Sequence, residues 1–392
     1  MIKYIMLLCV VSLSAFAGDE SDRIDISGFG RIVAGQLFKN DHQYNGYTNE
    51  LDFAQESLLA AQIDGKLTDK LSATVQILLH SSDSRSSGVE WAYFTYQHSN
   101  NLQFKLGKLR TPFFSYSDVI DVGFAYPWVH PPNQVYSEYL FSTFEGLNAT
   151  YNFTRGGSAV SIEGYWGKFS GEVFVDGIQF EPEVDKLHGL VFNLSRNHFA
   201  YRLSYHKANV ASFQEGISDF SHYLSSLGYK KSADSLDSAG YVYAIQTGLS
   251  YDSLDYFAHA EWRSLGSDIL VFPESKGYYL TVGYNFSPLT AHFTYANQRN
   301  YLNSPVNEIP TGVNPDLDML NLVYRNTFNY LITHDVKSYT LGLRYDLRAN
   351  IAVKADISLL EGDIPTEHRS SITNQKVSEQ AGMLQVGFEW IF

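Results

Sequence analysis

Apolar and polar residues alternate along this chain in runs of about ten, the period of a β-strand with two unlike faces. Leu71, Ala73, Val75, Ile77 and Leu79 share one such face, and Leu102, Phe104 and Leu106 another. The same alternation recurs within 147–153, 199–205, 243–249, 256–262, 278–286, 289–295, 339–345 and 351–359. It ends on Leu384, Val386, Phe388, Trp390 and Phe392, with Gln385, Gly387 and Glu389 among the residues between them. Stretches near 24–37 and 89–97 read as strands without a clear phase. With them the pattern predicts about sixteen strands. No convincing amphipathic helix, linker or low-complexity run interrupts the series.

The connections sort into two kinds. Tight turns fall at 68–70, 99–100, 155–157, 196–197, 252–253, 287–288 and 347–349. Longer polar segments lie between them, near 39–56, 80–88, 111–141, 167–185, 209–239, 265–275, 300–334 and 361–378. Short turns on one rim and long loops on the other are the asymmetry of an antiparallel membrane barrel, and an even strand number puts both termini on the short-turn rim. A terminal strand frays unless a sheet ties it down. Closure into a barrel would pair the 384–392 strand on both sides.

Charge decides which face is which. Where the phase is clear, the apolar faces carry no Asp, Glu, Lys or Arg. The opposite faces carry Asp64, Lys66, Lys105, Glu163, Arg202, Glu261, Arg263, Arg344, Lys354, Asp356 and Glu389. About sixteen strands enclose a lumen too wide for side chains alone to fill. The charges are therefore expected inside, and the apolar faces outside against lipid, where a charge at mid-membrane costs ~2–4 kcal/mol. Aromatics mark both ends of the apolar faces. Tyr345, Trp390 and Phe392 stand beside short turns, Trp166 and Trp262 beside long loops. Two such rings suit two headgroup layers about 25 Å apart. A closed barrel also pairs every lipid-facing backbone group.

Composition agrees. Lys3, the apolar run 4–13 and Ala15-Phe16-Ala17 read as a cleaved secretory peptide over 1–17, leaving a single barrel over 18–392. The one cysteine, Cys9, would leave with it, so no disulfide or thiolate metal site is expected, and no cofactor. Acidic residues outnumber basic ones, 42 to 28, which excludes nucleic acid as a partner. A mean hydropathy of −0.18 would suit a soluble protein, but a barrel shows lipid only alternate residues.

With its closing strand ending in Phe392 and its rhythm of strands and loops, the mature chain resembles the Gram-negative outer-membrane porins. The resemblance implies an all-β, up-and-down transmembrane barrel of about sixteen strands in the bacterial outer membrane. It implies a homotrimer among outer-membrane lipid and lipopolysaccharide, and a last strand read by the barrel-assembly machinery. It also implies that the loop after the fifth strand, about 111–141, folds into the lumen as a constriction. That segment holds Asp118, Asp121 and the stiff run Phe124-Ala125-Tyr126-Pro127-Trp128-Val129-His130-Pro131-Pro132. The Pro-Glu-Phe-Gly-Gly-Asp stretch of the general porins is missing from it.

The expected site is a transverse field, with Asp118 and Asp121 on the loop facing Arg202, Arg263 and Arg344 on the wall. Lys108 and Arg110 would add positive charge at the root of the loop. Lys105, Glu261, Lys354 and Asp356 would line the bore. Passive diffusion of small hydrophilic solutes and ions follows, without catalysis; ion preference stays open. One alternative is a substrate-specific porin with an aromatic slide of Tyr126, Trp128 and Tyr136. Another is an outer-membrane hydrolase using a lumenal or loop His, although no Gly-x-Ser-x-Gly or His-Glu-x-x-His motif occurs. His259, Glu261 and Arg263 share one inward face and read most simply as a polar ladder.

Overall fold

The computed structural model describes residues 23–392 except 83, 137–141, 176–177, 213–214, 238, 271, 302–304, 331–333 and 367–377. The secretory peptide expected over 1–17, with Lys3 and Cys9, lies outside the described residues.

Five strands come first: β1 Ile24–Phe38, β2 Leu58–Lys66, β3 Leu71–His80, β4 Gly88–Gln97 and β5 Leu102–Arg110. A long loop holding the short helix α1, Asn133–Tyr136, leads to β6 Thr143–Arg155 and β7 Ser158–Ser170. A small hairpin, β8 Val173–Val175 and β9 Ile178–Phe180, precedes β10 Glu183–Arg196 and β11 Phe199–Ser212. Helices α2 Glu215–Ser226 and α3 Lys230–Asp234 follow, then β12 Gly240–Asp252 and β13 Tyr256–Ser267. β14 Glu274–Phe286 and β15 Leu289–Tyr301 lead through α4, Pro315–Tyr330, to β16 Val336–Arg348, β17 Ile351–Gly362 and β18 Glu379–Ile391. All strands but β8 and β9 form one closed antiparallel barrel of sixteen, in which β18 pairs with β1.

The seam is tight. Phe392 and Gly28 exchange two backbone hydrogen bonds of 2.9 Å, and Trp390 lies opposite Gly30. The rings of Phe392 and Trp390 cover these glycines so closely that a Cβ would sit 2.4 Å and 2.3 Å from them. Glycine on β1 is what lets the terminal aromatics lie flat across the closure.

The alternation read from the sequence is the alternation of the wall. On β18, Leu384, Val386 and Phe388 are 37%, 40% and 42% exposed, whereas Gln385 and Glu389 are 7% and 0%. The two strands without clear phase have physical reasons for it. β1 is apolar on both faces, because its inward Val33 and Leu37 are fully buried while Ile24, Ile26 and Ile32 face out. In β4 the register slips by one residue opposite Gln76 and Ile77, so Glu90 is an extra residue and Trp91 and Val89 fall on opposite faces. The helices in the loops were not expected. Ile217 and Leu224 of α2, and Tyr324 and Phe328 of α4, bury their apolar stripes in the same cluster as the inward loop.

Candidate permeation path

The loop from Thr111 enters the barrel and packs there. Phe113, Phe114, Tyr126, Trp128, Val129, Val135 and Tyr136 are all buried. Most join a cluster with Tyr165 of β7, Leu187 of β10, Val242 of β12 and Tyr279 of β14. The rings meet edge to face, Trp128 standing 5.5 Å from Tyr116 and 5.6 Å from Tyr279. The Trp128 indole N–H donates to the Thr294 hydroxyl at 2.8 Å.

A loop with two 3₁₀ turns and one four-residue helix leaves many backbone groups to satisfy in a buried place. The inward charges of the wall satisfy them. Lys354 donates to the carbonyls of Gly123 and Trp128 at 2.6 and 2.8 Å, and its ammonium pairs with Glu389 at 2.6 Å. Arg344 donates to the Phe124 and Tyr126 carbonyls at 2.7 and 3.2 Å and stacks on the Phe124 ring. Arg263 reaches the Val135 carbonyl at 3.0 Å, and Arg202 the Pro112 carbonyl at 2.6 Å. The wall carboxylates accept in turn. Asp356 takes the Val129 N–H at 2.9 Å. Glu261 takes the Ser115 N–H at 3.1 Å, the Tyr279 hydroxyl at 2.8 Å and the Tyr136 hydroxyl. Charge-assisted hydrogen bonds of this kind are roughly twice as strong as neutral ones.

This placement corrects part of the expected site. Glu261, Arg263, Lys354 and Asp356 point inward, but each is no more than 3% exposed. They lie under the loop and fasten it. Asp121 does not face Arg202, Arg263 or Arg344 either. Both its oxygens are held by Arg85, at 2.5 and 2.9 Å, and Arg110 adds a contact of 2.5 Å. Burial alone would raise the Asp121 carboxyl, but the Arg85 and Arg110 guanidiniums hold it well below the usual carboxylate range. Arg110 is in addition paired with Glu90 at 3.1 Å and stacked on Trp91. Lys108 shares the outward face of Leu106, opposite Glu145, and donates to the Val89 carbonyl. Strand phase keeps it from the lumen. Tyr126, Trp128 and Tyr136 are at most 5% exposed, so no ladder of rings faces a solute.

Another set stays open to the lumen. Ser115 and Asp118 are exposed on the loop. Lys105 stands 5.0 Å over the Tyr93 ring, Glu163 accepts from the Asn148 amide at 2.5 Å, and Arg202 donates to the Asn193 side chain at 3.2 Å. Toward the short turns a cavity of about 600 Å³ opens beside Ser115, Tyr116, Asn152, Arg202 and His259. His259 is bracketed there, with Nε2 on Asp252 at 2.7 Å and Nδ1 on the Tyr116 hydroxyl at 2.9 Å. Both ring nitrogens are thus engaged within the polar ladder of this face. Among the described residues no three His, Cys, Asp or Glu side chains gather as a metal site. Trp166, Trp262, Tyr345 and Phe392 are exposed on the outside, and Trp390 lies half-buried over Gly30.

Sequence reasoning missed Arg85, Glu90 and Arg31. Arg85 sits in a short external loop with no periodicity, and Glu90 on the bulge. Arg31 lies on the strand of unclear phase, donating to the Glu56 carbonyl and the Tyr126 hydroxyl, both at 2.8 Å.

A closed sixteen-stranded barrel with a loop folded into its lumen is the architecture of outer-membrane porins. Among solved structures the chain is similar to the outer-membrane channel DcaP of Acinetobacter baumannii, with 13% identity, a TM-score of 0.55 and coverage of 96% of this chain and 99% of that one. It is similar to a loop L8 deletion mutant of OmpT, an outer membrane protein of Vibrio cholerae, at 12% identity, TM-score 0.55, covering 94% and 99%. An anion-selective porin from Comamonas acidovorans matches at 11% identity, TM-score 0.54, covering 94% and 99%. No family model matches the sequence, and no curated protein does. The likeness is one of fold.

Proposed function

We propose that the chain is a passive diffusion channel for small hydrophilic solutes and ions across the bacterial outer membrane. One observation carries the reading: beside the packed loop a cavity of about 600 Å³ lies against Ser115 and Arg202, with Asp118 exposed on the loop and Lys105 and Glu163 half-buried on the wall. Opposed charges across a water-filled gap order polar solutes and penalise apolar ones. The outward apolar faces, with aromatics at both rims, support a barrel seated in lipid. An aromatic slide is disfavoured because its rings are packed away, so the reading is of passage by size and charge.

Export by the 1–17 peptide and assembly directed by the Phe392-terminated strand belong to the same reading. So does a homotrimer, in which exposed Ile24, Ile26, Ile63 and Ile77 would be covered. A trimer form of Vibrio cholerae OmpT has a similar fold, with a TM-score of 0.51. Planar-bilayer recording tests the channel. Purified chain should add current in discrete ohmic steps, and failure to conduct in any folded preparation would reject the proposal.

A further inference from the structure

The cavity of about 600 Å³ on the short-turn side of the loop has a wall built in rungs. Strand register sets Asn152, Ser161, Asn193, Arg202 and Gly248 side by side across β6, β7, β10, β11 and β12. One inward position nearer the short turns, Ala159, Ser195, Ala200 and Ser250 form a second row. Strand phase turns both rows to the lumen. The loop borders the cavity with exposed Ser115 and half-buried Tyr116. The volume falls in the range of small-molecule sites, about 300–1,000 Å³.

This wall has one available charge. Arg202 and Glu261 are the only Arg, Lys, Asp or Glu side chains among the described residues lining the cavity. Glu261 is 3% exposed and occupied by the Ser115 N–H and the hydroxyls of Tyr136 and Tyr279. Arg202 donates one N–H to Asn193 Oδ1 at 3.2 Å and one to the Pro112 carbonyl at 2.6 Å. Both acceptors are neutral, and no carboxylate lies within 4 Å of its nitrogens among the described residues. Of the five guanidinium N–H groups, the one on Nε and one on each terminal nitrogen have no partner.

The uncharged groups around it are also unused. The side chains of Asn152, Ser161, Ser195 and Ser250 make no hydrogen bond with the protein among the described residues. Between them Ala159, Ala200 and Gly248 take bulk from the wall, which leaves room for the body of a solute. A carboxylate matches a guanidinium through two parallel hydrogen bonds. Solute hydroxyls match the free amide and serines. A second anionic group would find no second cation here, and an ammonium no accessible carboxylate.

We propose that this cavity binds a monoanionic sugar acid during passage, with its carboxylate on Arg202 and its hydroxyls on Asn152, Ser161 and Ser250. The site rests on the channel reading above and gives it a substrate class.

Block of single-channel potassium chloride current by D-glucuronate tests it, with D-glucose, acetate and succinate as the other probes. In the parent, glucuronate should interrupt the current at a concentration about tenfold lower than any of the three. Arg202→Gln should raise the glucuronate concentration needed about tenfold. Arg202 also holds the Pro112 carbonyl, so a second variant leaves that tie in place. Asn152→Ala with Ser161→Ala should weaken block by glucuronate about threefold and leave that by acetate unchanged. Arg196→Gln, an exposed charge at the short-turn end of β10, should change neither. Glucuronate no stronger than glucose or acetate, succinate equal to glucuronate, or block that survives both lumenal variants each overturns the site. Calorimetry of the folded chain in detergent keeps the two readings apart. Conducting channels without saturable heat from glucuronate reject this site alone. Saturable heat that depends on Arg202, from a barrel that never conducts, rejects the channel and keeps the site.

Discussion

Lys354 and Lys105 are both inward lysines on strands of the same alternation, and they end in opposite surroundings. Lys354 is 1% exposed, enclosed by Glu389 and two loop carbonyls. Lys105 is half-buried over Tyr93, on the wall that also carries half-buried Glu163. The difference lies in the loop. It is tied to β11 to β18 and β1, where Arg202, Glu261, Arg263, Arg344, Lys354, Asp356 and Arg31 meet its backbone and hydroxyls. On β5 and β7 it packs against Leu109 and Tyr165 and leaves Lys105 and Glu163 less covered. Strand period decides that a side chain points inward, and the lie of the loop decides whether it meets water. Charges of one kind fasten the obstruction, and charges of the same kind on the other wall border the gap.

Lys354→Met should break this comparison most severely. It strands Glu389 in a place with 0% exposure, and removing one partner of a buried pair costs about 3–5 kcal/mol. It also releases the Gly123 and Trp128 carbonyls. We expect a large fall in the temperature at which the folded barrel unfolds on detergent gels, together with noisier and larger current steps as the loop loosens. Lys354→Met with Glu389→Leu should recover most of the stability, because an apolar pair needs no compensation. A single variant as stable as the parent would show that the loop is held by its aromatics alone.

Asp121→Asn should come next, at about 2 kcal/mol, the scale of hydrogen bonds to charged groups. It weakens the tie of the loop to Arg85 and Arg110. The sign of its pH dependence follows from a folded carboxyl held below the unfolded value of about 3.9. The parent keeps this contribution in full above that value and loses it only as pH falls toward the folded one. Thermal stability measured between about pH 6 and about pH 3 should therefore drop in the parent at the acid end, and Asp121→Asn should lack that component. Parallel curves would mean that Asp121 is dispensable to the anchor.

The barrel was legible from the chain for a simple reason. A period of two survives wherever one face is uniformly apolar, as from Leu71 to Leu79 or Leu384 to Phe392. It blurred where both faces are apolar, as at Val33 and Leu37, or where a bulge inserts Glu90. The site was legible by face and less so by environment. Asp118 is exposed on the loop and Arg202 half-buried on the inward face of β11. Nothing in local sequence states that Arg263 would spend its guanidinium on the Val135 carbonyl, more than a hundred residues away in the chain. Nor could it place Arg85, whose importance depends on Asp121 arriving beside it. Lys108 lies at the root of the loop, but its strand phase matches that of exposed Leu106 and turns it away from the lumen.

The smallest expected effect sharpens the comparison most. If the less covered wall borders the path, neutralising Asp118 should favour anions and neutralising Lys105 should favour cations, with neither change loosening the loop. A unit charge about 8 Å from a permeating ion in water is worth about 0.5 kcal/mol, roughly a twofold change in permeability ratio, and salt reduces it. Reversal potentials in a salt gradient resolve a change of that size. Asp118→Asn and Lys105→Gln should shift them in opposite directions with single-channel noise unchanged. Arg202→Gln should shift selectivity toward cations and also raise the noise, because Arg202 both borders the gap and holds the Pro112 carbonyl. Shifts of one sign for Asp118 and Lys105, or none, would move the path away from β5 and leave the two walls alike.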